Sequence, residues 1–370
     1  MHSRPRMFAI GLSVVAAFLG GAAPAGASDG VVQPGESIQA AIDDALPGDT
    51  ITVAPGEFRE NLTITQDDIT LRGSGTGRHG TVLMPSLTPA GHPCHQPSPE
   101  VSGICVLGAM DPSGPPVSDV TIEDLTVDGF SGTGIDAFNA EDYTVAHVRA
   151  RNNEGYGIAG FVLSGVRFLH SVATDNGEPG IYIGDSHDAQ AVVIGNTSIH
   201  NGVGGEGFGF LFRDSSNGLV IGNHAARNCV GFNFIDSGFN EAEPLSDWTA
   251  QGNTANKNNG ACPASAEFPA FSGTGILLGG THAVAVTRNH VFSNRPTIAS
   301  KLSGGIVVAS ASSLGGASPA NNVSPTENVV SRNVAFHNKP ADIVWDQTGT
   351  GNRFRRNHCA LSMPSRICDH

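Results

Sequence analysis

A phenol, two carboxyls and an imidazole fall within seven residues at Tyr182-Ile183-Gly184-Asp185-Ser186-His187-Asp188. Arg213 and Asp214 follow in a second segment of the same pattern, Gly209-Phe210-Leu211-Phe212-Arg213-Asp214. Such a set suits proton transfer beside a carboxylate. A guanidinium stabilises the enediolate-like charge that develops. A base and an acid must work from opposite faces of a sugar ring, and His187 and Tyr182 can divide those roles. Elimination then makes a lyase, and return of the proton from the other face makes an epimerase. Tyr182, Asp185, His187, Arg213 and Asp214 are therefore the candidate catalytic residues.

The acid recurs. Asp185, Asp214 and Asp236 each stand five residues after a glycine, and each is followed by a serine (Ser186, Ser215, Ser237). If these segments stack as neighbouring strands, the carboxyls lie on the order of 5 Å apart. Like charges so close raise a pKa or recruit a cation. The stack then serves acid/base chemistry or holds calcium; no cofactor is otherwise required. A glycoside hydrolase would use two of these carboxylates, with retention at one-coil spacing and inversion at two-coil spacing. Asp-Ser at a strand end is also ordinary turn chemistry, with Asp bonding backbone N–H groups. The two readings can coexist along one stack. His200, His224, His290, His337 and His358 flank turn asparagines and read as exposed positions without a catalytic role.

What positions these residues is a repeat. A Gly-Ile or Gly-Phe anchor opens a short alternating apolar run at Gly103, Gly134, Gly157, Gly180, Gly209, Gly231, Gly275 and Gly305, with Asp342 as a last variant. From Gly134 the intervals are 23, 23, 29, 22, 44, 30 and 37 residues, a unit of about 22 with insertions. Asparagine pairs five apart precede most anchors: Asn196/Asn201, Asn223/Asn228, Asn253/Asn258, Asn289/Asn294 and Asn333/Asn338. Asn tolerates the left-handed conformation of tight turns, and in register such residues stack into amide ladders. Three short strands per unit without helical periodicity describe a parallel β-helix. Leucine-rich repeats share the length, but their Leu and Asn framework is missing here, and propeller blades need about 40 residues.

Strand alternation converts the anchors into columns. Ile135, Ile158, Ile181, Phe210, Phe232, Ile276 and Ile306 point inward. Asp136, Tyr182, Leu211, Asn233, Leu277 and Val307 point outward, followed by Phe138, Phe161, Arg213 and Ile235. A glycan-binding groove needs such apolar and polar surface together. Asp136, Phe138, Phe161, Asn233 and Asp236 are the expected substrate contacts, unless the long segments Asn240–Thr274 and Ala311–Glu327 cover this face.

At the start, Ser37–Leu46 places Ile38, Ala41, Ile42 and Leu46 on one helical face, ended by Pro47-Gly48-Asp49. An amphipathic cap is needed because an open solenoid end exposes core and strand edges. The stretch VVQPGESIQAAIDDALPGDTITVAPGEFRENLTITQDDITLRGSG resembles the N-terminal segment of secreted right-handed parallel β-helix proteins of the pectate-lyase-like superfamily. With the repeats, that resemblance covers most of residues 31–358. It implies an all-β, single-stranded right-handed solenoid: cap 31–50, coils about 51–358, and a stapled end at 359–370. The Tyr182–Asp188 segment also resembles the Tyr-x-x-Asp-Pro-His-acid motif of mannuronan epimerases and related alginate lyases. Tyr182, Asp185 and His187 match its Tyr, Asp and His, and Asp214 would stand near a downstream Asp. Ser186 replaces the family's Pro, and Val203–Gly207 adds Gly-rich residues before Asp214. The Gly-His-Gly and Arg-Ile-Lys of polygalacturonases are absent.

Composition bounds the function. Of 370 residues, 48 are Gly, about 13% against a usual ~7%. The 34 acids outnumber the 20 Lys and Arg, giving a net charge of −14. That argues against nucleic acid or an anionic membrane as partner, and against highly anionic pectate unless calcium bridges it. Met1–Ala27 has Arg4 and Arg6, an apolar run and a terminal Ala25-Gly26-Ala27, the layout of a Sec-type signal peptide. The mature chain, 28–370, is then a secreted monomer. Six cysteines in an exported chain read as disulfides, with neighbours paired: Cys94–Cys105, Cys229–Cys262 and Cys359–Cys368. The expected function is a polysaccharide lyase or uronate epimerase. The alternatives are a glycoside hydrolase using the stacked Asp residues, or a non-catalytic β-helix that binds a glycan or a surface.

Overall fold

A computed structural model describes residues 30–87, 94, 100–202, 205–238, 244–265, 269–314 and 323–369. The expected signal peptide, Met1–Ala27, lies outside the described residues, as do parts of segments 203–207, 240–274 and 311–327. One coil shows how the rest is built. Strands Ile158–Ser164, Arg167–Leu169 and Val172–Thr174 follow one another with tight corners between them. The next coil repeats them as Ile181–Ser186, Ala191–Ile194 and Thr197–Ile199. The pairing is parallel and in register: Ile158 with Ile181, Arg167 with Val192, Val172 with Thr197. Three parallel sheets result, here called the anchor, middle and ladder sheets. The ladder sheet has eleven strands. This is the parallel β-helix expected from the repeat.

The inward column is as read. Ile135, Ile158, Ile181, Phe210, Phe232, Ile276 and Ile306 occupy one register and are fully buried. Phe210 stacks on Phe232 at 4.6 Å, and Phe212 on Phe234 at 4.8 Å. The asparagine pairs form two amide ladders. One runs through Asn196, Asn223, Asn253, Asn289, Asn333 and Asn357; the other runs from Asn153 through Asn228 and Asn258 to Asn338 and ends on Asp342. The conformational reading needs correction. The ladder asparagines do not take the left-handed conformation; the residue before each one does, as at His200, Arg227, Lys257, Arg332 and His337. The ladder amide thus points inward while its neighbour turns the corner.

Ladder and anchor are one device. A Cβ at Gly231 would meet the Gly275 carbonyl at 2.5 Å and the Asn258 amide nitrogen at 2.8 Å. Gly209 is in the same position against Gly231 and Asn228. The anchor must therefore lack a side chain because the ladder amide already fills that space.

At the N-terminal end, helix Ile38–Asp43 buries Ile38 and Ile42 and is capped by Ser37. The Gln39 amide pairs with both backbone groups of Thr63, at 2.7 and 3.0 Å, and so closes a strand edge. The helix is shorter than read: it stops at Asp43, and Leu46 is 57% exposed. At the other end Cys359–Cys368 staples the last strands, and Cys94–Cys105 and Cys229–Cys262 complete the three neighbour pairs.

The outward face of the anchor sheet departs from expectation. Leu211, Asn233, Leu277 and Val307 are buried. Leu211, Leu277 and Val307 belong, with Phe208, Phe271, Leu302 and Ala311, to a second apolar cluster that also holds the Cys229–Cys262 disulfide. Insertions supply much of this cover. They fold back over the sheet because its outward column is too apolar to leave wet.

Candidate functional site

The cover stops short over the middle coils and leaves a cleft of about 410 Å3. Asp136, Phe161, Tyr182, Asp185 and Arg213 reach it from four successive anchor-sheet strands. Tyr156, Glu178 and Glu206 come from the segments that lead into anchors Gly157, Gly180 and Gly209. Glu100, Ser102 and Thr133 complete one end. Three rings pack together: Tyr182 lies 4.8 Å from Phe161 and 5.0 Å from Tyr156. Among the described residues, five carboxylates and one guanidinium therefore share a recess with an aromatic cluster.

Local backbone geometry sorts the candidate catalytic residues. Asp185 takes φ 49°, a left-handed kink that Asp tolerates, and its side chain faces the cleft. Ser186, where the resembled motif has proline, turns back: its hydroxyl donates to the Gly184 carbonyl at 2.7 Å and accepts from the Leu163 N–H at 2.9 Å. His187 then lies exposed in the turn beyond the strand and does not line the cleft. Asp214 kinks in the same way at φ 47° but is 2% exposed. Its carboxylate accepts from the Ser237 N–H at 2.7 Å and from the Ser237 hydroxyl, with the Arg213 Nε 3.4 Å away. Tyr182, Asp185 and Arg213 thus line one cleft, whereas His187 and Asp214 do not line it, although Asp214 pairs with Arg213.

The Asp stack resolves as turn chemistry at two of its three members. Asp236 is 3% exposed and accepts from the Gly238 N–H at 2.9 Å. Among the described residues no three His, Cys, Asp or Glu side chains converge as metal ligands. Of the expected substrate contacts, Asp136 and Phe161 line the cleft, and Phe138, in register with Phe161, is half-buried against the second apolar cluster. Asn233 is fully buried with both amide atoms lacking a hydrogen bond, and Asp236 lies under the same cover. Neither is among the residues that line the cleft.

Burial pushes the Asp236 carboxyl up to about 6, and the Asp214 charge adds to it, while hydrogen bonds from the Gly238 and Leu245 backbone oppose the shift. An unfolded Asp titrates near ~3.9. Between about pH 4 and 6 the native state keeps a proton that the unfolded chain releases, so this residue's contribution to stability declines as pH rises through that window. Asp236→Asn should flatten the pH dependence of the thermal midpoint there; an unchanged slope would refute the assignment.

Tyr156, Glu178 and Glu206 were missed because the sequence columns followed residues after each anchor, never those before it. A faint signal was available, since each lies within three residues of an anchor glycine.

A family model for a right-handed β-helix region matches residues 116–198 and 171–359. Among curated proteins none matches. The A-module of mannuronan C-5 epimerase AlgE4 from Azotobacter vinelandii superposes with a TM-score of 0.57 at 19% identity, over 88% of this chain and 94% of that one. The AlgE6 A-module of the same organism gives 0.59 at 18%, over 88% and 92%. DFA-IIIase from Arthrobacter chlorophenolicus A6 in complex with GF2 gives 0.51 at 13%, over 90% and 92%. At these identities the likeness is one of fold.

Proposed function

The chain belongs to the right-handed β-helix family, and on that premise we propose that it is an exported carbohydrate-active enzyme that cleaves a neutral or sparingly charged glycan in the cleft at Tyr182 and Asp185. Export rests on the three disulfides, which persist in oxidising compartments. The observation that carries the substrate class is the cleft's charge: five carboxylates to one guanidinium, beside three clustered rings. Rings pack against sugar faces and carboxylates accept from sugar hydroxyls. A polyuronate would bring further negative charge into a recess already rich in it.

Hydrolysis asks for one carboxyl that protonates the leaving oxygen and a second that attacks or activates water. Asp185 takes one role, and Glu178 or Glu206, on the segments leading into the anchors, takes the other. Arg213, which lines the same cleft, holds the bound sugar by charge-assisted hydrogen bonds.

A second reading, a uronate lyase or epimerase, is favoured by one specific observation: Tyr182, Asp185 and Arg213 share the cleft. The mannuronan epimerase modules among the structural relatives agree with it in fold. One assay separates the two. Purified mature protein is incubated with neutral polysaccharides and with polyuronates, and both reducing ends and unsaturated products are read. New reducing ends from a neutral glycan without unsaturated product are expected. Unsaturated or epimerised uronate product overturns the hydrolase assignment, and binding without product overturns catalysis.

A further inference from the structure

Charge is unevenly spread along the chain. Residues 281–370 hold nine of the 20 Lys and Arg but only four of the 34 acids, so they carry +5 while the remainder carries −19. The excess gathers at the corner between the middle and ladder sheets. From coil to coil that left-handed corner is occupied by Asp124, then His147 and His170, then three glycines, and finally Arg288, Arg332 and Arg356. Thr287, Ser331 and Arg355 are in parallel register one residue earlier, so the three arginines stack at the coil repeat, ~4.8 Å. All are exposed, as is Arg355. Arg332, Arg355 and Arg356 with Ser331 and Thr287 enclose a recess of about 340 Å3.

None of these four arginines has a side-chain ion pair or hydrogen bond among the described residues. Several arginines of earlier coils do: Arg72 pairs with Glu123, Arg151 with Asp128, Arg167 with Asp142. Like charges stacked at one-coil spacing repel, and an oxyanion between them converts that repulsion into charge-assisted hydrogen bonds to several guanidinium forks. We infer that this corner is a binding site, separate from the cleft, for the carboxylate or sulfate groups of an acidic polysaccharide. A chain of sugars fits better than a duplex or a lipid surface. The basic strip is only a few coils long and the rest of the molecule, at −19, repels any extended polyanionic face.

The test needs no catalysis. Mature protein is passed over immobilised dextran sulfate, alginate and unmodified dextran at low salt, with duplex DNA and anionic phospholipid vesicles as comparison ligands. Retention on dextran sulfate or alginate is expected, with the stronger of the two telling sulfate from carboxylate. None is expected on dextran, and salt near ~1 M, where the Debye length is ~3 Å, should release the protein. Arg332→Gln/Arg355→Gln/Arg356→Gln should weaken binding by at least about tenfold. Arg227→Gln/Lys257→Gln, which removes exposed cations from the other corner, should not. No retention on either acidic glycan, equal loss in both variants, or tighter binding to DNA or vesicles overturns the proposal. Circular dichroism of the triple variant, whose changes are all at exposed side chains, should match the parent.

Discussion

Asp185→Asn should lower kcat by about 10²- to 10⁴-fold on whichever glycan yields product, the range for losing a positioned proton-transfer group. The same change should leave the thermal midpoint nearly unmoved, because Asp185 is only half-buried and its kinked backbone suits Asn as well as Asp. His187→Ala is the informative partner. The motif resemblance makes His187 indispensable, whereas the structure leaves it exposed in the turn past the strand. Turnover within about twofold of the parent is therefore expected, as for surface positions away from a site. Steady-state rates of the two variants on one substrate decide the matter. A dead His187→Ala beside an active Asp185→Asn would move the reaction centre out of the cleft.

Asn258→Ala should be among the most destabilising single changes in the chain. The side chain is fully buried, and its oxygen accepts from the Asn228 N–H at 3.2 Å and the Asn228 amide at 3.1 Å. Its nitrogen donates to the Ala225 carbonyl at 3.2 Å and to Asn294 at 3.1 Å. Truncation removes these four buried hydrogen bonds, at about 0.5–1.5 kcal/mol each, and leaves the Asn228 N–H without its partner, so a loss of about 2–6 kcal/mol is expected. Asn258→Asp gives no rescue, because a second oxygen would face the Ala225 carbonyl and the Asn294 oxygen. Lys257→Gly, one residue earlier, should change stability by no more than about 0.5 kcal/mol, since φ 53° there is a conformation glycine adopts freely. Guanidinium denaturation midpoints test all three; a ladder variant as stable as Lys257→Gly would show that the amides are not a supporting element.

The inner architecture was legible because it repeats. One Ile or Phe after each anchor glycine, eight coils running, leaves little choice about which side is the core, and the asparagine spacing sets the register. The cysteine pairs followed from proximity in the chain. The site was only partly legible. Asp185 and Asp214 stand at the same distance from an anchor glycine, are each followed by serine and share the kinked backbone, yet one faces the cleft and the other is sealed beneath Ser237. What separates them is the cover laid down by residues many positions away, and a repeat register says nothing about non-repeating chain. For the same reason Asn233 looked like a ligand contact and is instead interior.

Corner length has a consequence for how such a molecule can change over generations. From Thr144 onward the passage from middle to ladder sheet is two residues in every described coil, as at Gly222-Asn223, Arg288-Asn289 and Arg332-Asn333. The added lengths of later coils enter at the two corners that flank the anchor sheet. Heritable insertions and deletions are thereby channelled to the flank that bears the cleft, while the ladder side keeps its spacing. A lineage can rewrite its mouth one excursion at a time without renegotiating its spine, and a protein engineer can graft there for the same reason.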